Sequence, residues 1–288
     1  MTVLAVLALV LQMQSPAPSA SASPPAPKPS PAAAPAPAAT PAPLAPPTAE
    51  NIVAVVKQAP AFAADTGRTG LQAMAEKRLP VPNVGDMGYF VEIQWKDKDG
   101  AVHTGLAVVA HNEVKDVPWM VKAGQWGLVQ VLEDKTLEGV AGDLKRARLA
   151  ANEAVAIGDI RMIYSGEMLF MAVADGAYGD LRCLNIPADC VTGIPGEKLL
   201  EKALTSATEK SGYRRKFYAG ARVPSAKAKG SPSPFVKSFA YTAVPVTPGE
   251  TGVRGFCGDS QGRICVSADG AEPPVSGGLC TTPCTELK

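Results

Sequence analysis

Leu137 to about Ala174 lies within the longest proline-free stretch of a chain that holds 27 prolines in 288 residues. Within it, Leu144, Ala147, Ala151, Val155, Met162, Leu169 and Val173 recur at steps of three, four or seven. That spacing predicts one long helix with a single buried stripe. Thr136 followed by Glu138 supplies a cap with acid in the first turn, and Gly176 and Gly179 end the run. A helix of that length cannot bury its stripe alone, so the segment C-terminal to it must cover it.

The covering segment is legible as strands. Tyr213–Tyr218, Ser238–Val244, Val253–Cys257 and Arg263–Ser267 are strand-like and separated by turns rich in Pro, Gly and Lys, which predicts an antiparallel meander. A short amphipathic helix at Glu197–Lys210 precedes them, with Leu199, Leu200, Ala203 and Leu204 inward. The expected fold class is therefore α+β, with the long helix packed on a C-terminal antiparallel sheet over residues 133–288. Before it, residues 49–132 form a small α/β domain. Asn51–Ala64, broken by Pro60, and Gly70–Lys77 are expected as short helices. Val91, Ile93 and Trp95 alternate with polar residues as a strand, and Val102–Ala110 returns from a turn at Asp97–Gly100. Gly127–Leu132 makes a third strand, with Trp119 and Trp126 as core residues. The Asp97 turn lacks the glycine and distal glutamate positions of a calcium loop.

At the N-terminus, Val3–Leu11 is an apolar run followed by Ala20-Ser21-Ala22, which predicts a signal peptide over 1–22. The Pro/Ala-rich linker assigned to 23–48 belongs to a Pro, Ala and Ser stretch running from Ser15 to Pro47, a composition that forms no core. At about 3.1 Å per residue that stretch reaches on the order of 100 Å. All six cysteines, Cys183, Cys190, Cys257, Cys265, Cys280 and Cys284, lie in the second half. With an export signal they predict disulfides and an extracytoplasmic location, in the periplasm or cell envelope or secreted. Sequence proximity favours Cys183 with Cys190, Cys257 with Cys265, and Cys280 with Cys284. No run approaches the roughly 20 apolar residues of a membrane-spanning helix. A net charge of +1 provides no general field for nucleic acid.

Several words of sequence then fall in a suggestive order. Ala151-Asn152-Glu153-Ala154-Val155-Ala156-Ile157-Gly158 with Ile160, Arg161 and Ile163 comes first, followed by Ser211-Gly212-Tyr213. Pro245-Val246-Thr247-Pro248-Gly249-Glu250-Thr251-Gly252-Val253-Arg254 and then Phe256, Asp259, Gly262 and Ile264 complete the set. Over about residues 147–270 this resembles the globular heads of type IV pilin-like and type II secretion pseudopilin-like proteins. The resemblance implies a head that works by surface contact, with pilus or secretion-system proteins as partners. In this chain the first domain stands where that family has its hydrophobic assembly helix. The competing expectation is a stand-alone extracytoplasmic module that reuses the head fold to bind a soluble ligand or wall polymer.

Candidate chemistry is thin. Gly258-Asp259-Ser260-Gln261-Gly262 satisfies G-x-S-x-G, yet a strand follows where a nucleophile elbow requires a helix. The only histidines, His103 and His111, lie in the first domain as strand residues. The cysteine steps lack the paired spacing of a zinc site. Arg214, Arg215, Lys216, Lys227 and Lys229 form a basic neighbourhood whose ordinary explanation is a solvated strand and loop rather than a strand-binding patch. The sequence thus assigns no catalytic, cofactor-binding or metal-binding residue, and the chain is read as a non-enzyme.

Overall fold

The computed structural model describes residues 44–193, 196, 198–206 and 208–287. The signal-peptide expectation, and all of the linker before Leu44, lie outside the described residues. Contacts divide the chain into two units between Leu144 and Lys145.

In the first unit, helix α1 (Ala49–Val56) begins at Thr48 with a reciprocal cap. The Thr48 hydroxyl accepts from the Asn51 N–H, and the Asn51 side chain accepts from the Thr48 N–H. Four strands follow: β1 (Thr69–Val81), β2 (Gly85–Lys96), β3 (Val102–His111) and β4 (Trp126–Glu133), antiparallel in that order. Ile52, Val55 and Val56 of α1 pack with Val91, Ile93, Trp95, Val109, Trp126 and Leu128 on one sheet face. Phe90, Leu106, Val108 and Leu132 fill the other face under Leu137, Val140 and Leu144. The first turns of the long helix, α2 (Leu137–Val173), therefore fold with this unit rather than beginning a new one.

Residues Gly70–Lys77 are strand, not helix. Their Ala, Met, Glu and Lys favour helices in isolation, but the segment pairs along β2 and the ladder overrides that preference. The turn at Asp97 is a hairpin turn, its Oδ1 accepting from the Asp99 and Ala101 N–H groups. Trp126 is buried, whereas Trp119 is half-buried and lies over Gly127, where a Cβ would come within 2.6 Å of its ring.

In the second unit, the rest of α2 is followed by short helices α3 (Leu181–Asn185) and α4 (Lys202–Ser206). The helix expected over Glu197–Lys210 is confined, among the described residues, to α4. Ala203 is exposed, Leu204 is buried, and Glu209–Lys210 is strand β5. Strands β6 (Tyr213–Ala219), β7 (Phe239–Pro245), β8 (Gly255–Asp259) and β9 (Ile264–Ser267) form the expected antiparallel meander. The tail adds the pair β10 (Val275–Ser276) and β11 (Leu279–Cys280), and then β12 (Thr285–Glu286), which joins the sheet beside β9. Ile160, Ile163 and Phe170 of α2 pack in one core with Tyr213, Phe239, Tyr241 and Phe256 of the sheet.

Disulfides join Cys183 to Cys190, Cys257 to Cys280 and Cys265 to Cys284. The first pairing is the expected one and the other two are not. Cys257 and Cys265 are direct neighbours across β8 and β9. The Asp259 N–H donates to the Arg263 carbonyl two residues along the same register, so Cys257 and Cys265 also fall at a hydrogen-bonded position. Side chains stand further apart at such positions. Each cysteine instead takes a partner from the tail lying over that sheet face, in a cluster with Ala240 and Val275.

Candidate functional site

The buried face of α2 runs through Glu153, Ala156, Ile160, Ile163, Glu167, Phe170 and Ala174, in alternating steps of three and four. It is not the expected stripe. Val155, Met162 and Leu169, three of the residues expected inside, are 37%, 47% and 59% exposed. Both faces carry apolar side chains at helical spacing. The face that packs on the sheet also carries carboxylates, which a rule of polar residues outward rejects.

Each buried acid of α2 has a different partner. Glu153 Oε1 accepts from the Val253 and Arg254 N–H groups, both at 3.0 Å. Its Oε2 accepts from Arg254 Nε at 2.9 Å and from the terminal guanidinium nitrogen at 2.6 Å. Burial pushes the Glu153 carboxyl up, but these hydrogen bonds and the Arg254 charge outweigh it and hold it below its ordinary value. Asp159 accepts from Lys210 Nζ at 2.9 Å and pairs with the buried Arg215 guanidinium. Glu167 is wholly buried, and its Oε2 accepts from the Gly179 N–H at 2.9 Å while Oε1 has no partner. Burial pushes its carboxyl up to about 8, so it is a neutral acid at pH 7.

These contacts unite separate words of the sequence. Asn152 donates to the Thr251 carbonyl at 2.8 Å and Arg148 to the Glu250 carbonyl at 3.2 Å. The Pro245–Arg254 segment is thereby fastened along the helix. Tyr213 reaches the same place, its hydroxyl donating to the Arg254 carbonyl at 2.9 Å. Gly252 is needed beneath it, since a Cβ there would lie 2.1 Å from the Tyr213 hydroxyl. No sequence signal joined Glu153 to Arg254 in advance. The one clue was two acids fourteen residues apart, in phase with Ile160 and Ile163.

Ser260 lies in the turn between β8 and β9. Its N–H donates to the Phe239 carbonyl, and its own carbonyl accepts from the Tyr178 hydroxyl at 3.3 Å. Asp259 closes this turn, accepting from the Gln261 and Cys280 N–H groups and from Arg263. Strand β9 follows it, and the second unit contains no histidine. In the first unit, His103 bonds Asp97 at 2.9 Å and stacks on Trp95, while His111 is buried edge-on to Trp126. Asp180, Cys183 and Cys190 are the only cluster of metal-ligating types among the described residues. Two of its three members are joined in a disulfide and offer no thiolate.

The basic neighbourhood is dispersed. Arg215 is buried against Asp159, Lys227 pairs with Asp175 at 2.6 Å, and Lys229 donates to the Ala188 carbonyl. Arg214 and Lys216 remain exposed on β6. No helix among the described residues is long and apolar enough to cross a membrane. No known protein family, curated protein or solved structure matches the chain.

Proposed function

We infer that this is a non-enzymatic extracytoplasmic protein whose second unit is a pilin-like head, working by surface contact as an accessory of a pilus or secretion filament. The observation that carries this reading is the exposed apolar face of α2. A helix that buries one face on an antiparallel sheet and leaves Val155, Met162 and Leu169 open has the form of a subunit with a further contact to make. Three disulfides support an oxidising compartment. Asp259 closes a turn, and the six cysteines are bonded to one another. The first unit, which folds around its own sheet, favours as a second reading a stand-alone binding module.

Crosslinking in the native envelope through a photoreactive residue at the exposed Lys216 position tests the choice. Capture of pilins or secretion-system components is the expected result. Capture of wall material, or of nothing by a monomeric protein, overturns the filament reading.

A further inference from the structure

Between Arg148 and Asp175, the exposed side of α2 carries a single charge, Arg161, because Glu153, Asp159 and Glu167 are buried. On that side Ala151, Val155, Gly158, Met162, Ser165, Leu169 and Ala172 alternate four and three residues apart, and each is exposed or half-buried. This spacing keeps one strip of a helix against a neighbouring helix, and here it is sustained over about three heptads.

The alternation also sorts side chains by size. Val155, Met162 and Leu169 recur every seventh residue, and so do Ala151, Gly158, Ser165 and Ala172. Gly158 decides what this means. A helix interior disfavours glycine, and a Cβ at Gly158 would meet nothing within 4 Å, so the chain's own packing does not require its absence. Close approach of a second helix does.

The stripe is complementary to itself. In an antiparallel pair with its two-fold axis between Ile163 and Tyr164, Val155 stands opposite Ala172 of the second copy, Gly158 opposite its Leu169, and Met162 opposite its Ser165. Every large side chain then meets a small one. Parallel packing in register sets large against large and small against small, which leaves gaps at Gly158 and Ser165. A surface that matches its own copy about a two-fold axis makes an isologous interface.

The available area fits a dimer. From Ala151 to Ala172 the stripe is about 33 Å long. With the flanking Ala154, Arg161 and Met168 it spans about half the circumference of the helix, on the order of 600 Å² per copy. A pair thus buries on the order of 1,200 Å², the lower bound for specific interfaces. Such an area supports reversible pairing at micromolar or higher concentration.

We propose that the exposed face of α2 docks antiparallel on the same face of a second copy of this chain, with Val155, Met162 and Leu169 seated over Ala172, Ser165 and Gly158. The proposal rests on the functional reading above in taking this face as a contact surface, and it names the occupant.

Sedimentation equilibrium of the purified full chain from about 1 μM to 1 mM is the test, and a monomer–dimer equilibrium is expected. Met162→Glu, at an exposed position, should weaken association at least about tenfold without changing helix content. Adding Ser165→Lys to Met162→Glu should restore pairing, because the antiparallel register sets each new acid against the second copy's new base, whereas parallel pairing sets like charges together. Monomer at every concentration, a dimer indifferent to Met162→Glu, or no rescue by the double variant would each overturn the proposal. The filament reading is tested elsewhere, at Lys216, on the face of β6 opposite to Arg215, which meets Asp159 of α2. A monomer that captures pilins through the Lys216 position keeps that reading and sinks this one, and a dimer that captures only wall material does the reverse.

Discussion

Glu153 and Arg254 hold each other by two side-chain hydrogen bonds, while the same carboxylate also caps the Val253 and Arg254 N–H groups. One acid in the middle of α2 therefore organises the segment that leads into β8. Glu153→Gln keeps the shape and removes the charge. Because the Arg254 side chain is 40% exposed, the cost is moderated by solvent, and a loss of about 1–3 kcal/mol in urea unfolding is expected. The wild-type contribution is present above the ordinary glutamate pKa and fades as pH falls through the lowered folded value. The variant should lack that acid-side loss.

Glu167 has the opposite sign. Its carboxyl is raised to about 8 in the folded protein against 4.5 for the free group, so the folded state holds a proton that the unfolded chain gives up. Stability should therefore be greatest below about pH 4.5 as far as this group is concerned. It should fall by about 1.4 kcal/mol per pH unit as pH rises toward 8, and level off above that. Glu167→Gln retains an acceptor for the Gly179 N–H and should flatten this slope. Unfolding midpoints measured at pH 6 and pH 8.5 that change equally in both proteins would contradict the assignment.

Gly258 lies where α2 crosses the sheet closely, since a Cβ there would come 2.2 Å from Ile160 Cγ2. Gly258→Ala is expected to cost about 1–3 kcal/mol by overpacking. Shortening the opposing side chain with Ile160→Ala should recover part of that loss. A double-mutant cycle read by denaturant unfolding checks the coupling.

A non-reduced peptide map should recover Cys257 linked to Cys280 and Cys265 linked to Cys284, with Cys183 linked to Cys190. Recovery of a Cys257–Cys265 peptide as the main species would contradict the tail pairing. Cys284→Ser should free one thiol, at Cys265, and leave the other two bonds intact.

Much of the architecture could be read from local pattern. The long helix, its Thr136 cap and the β6–β9 meander each announce themselves over a few residues, because periodicity and turn chemistry are local. What escaped was set by partners distant in the chain. Gly70–Lys77 becomes strand only because β2 is there to pair with it. The burial phase of α2 depends on Arg254, Arg215 and the Gly179 amide, which make acids acceptable inside. The apolar face chosen from the sequence alone has no such complications, and for that reason looked like the inner one. The disulfide pairs escaped likewise, since proximity along the chain says nothing about which neighbours across a ladder point toward a returning tail.

That tail imposes an order of events. In a chain made from its N-terminus, Cys257 and Cys265 are both present before either native partner is. Until the β8–β9 ladder forms and its hydrogen-bonded register holds their side chains apart, these two near neighbours in sequence can pair with each other, and that bond is the wrong one. Maturation must then either hold these two thiols reduced until Cys280 and Cys284 arrive, or undo the early bond by thiol–disulfide exchange. A host without an efficient disulfide isomerase should accumulate a mispaired species whose fault lies only in timing.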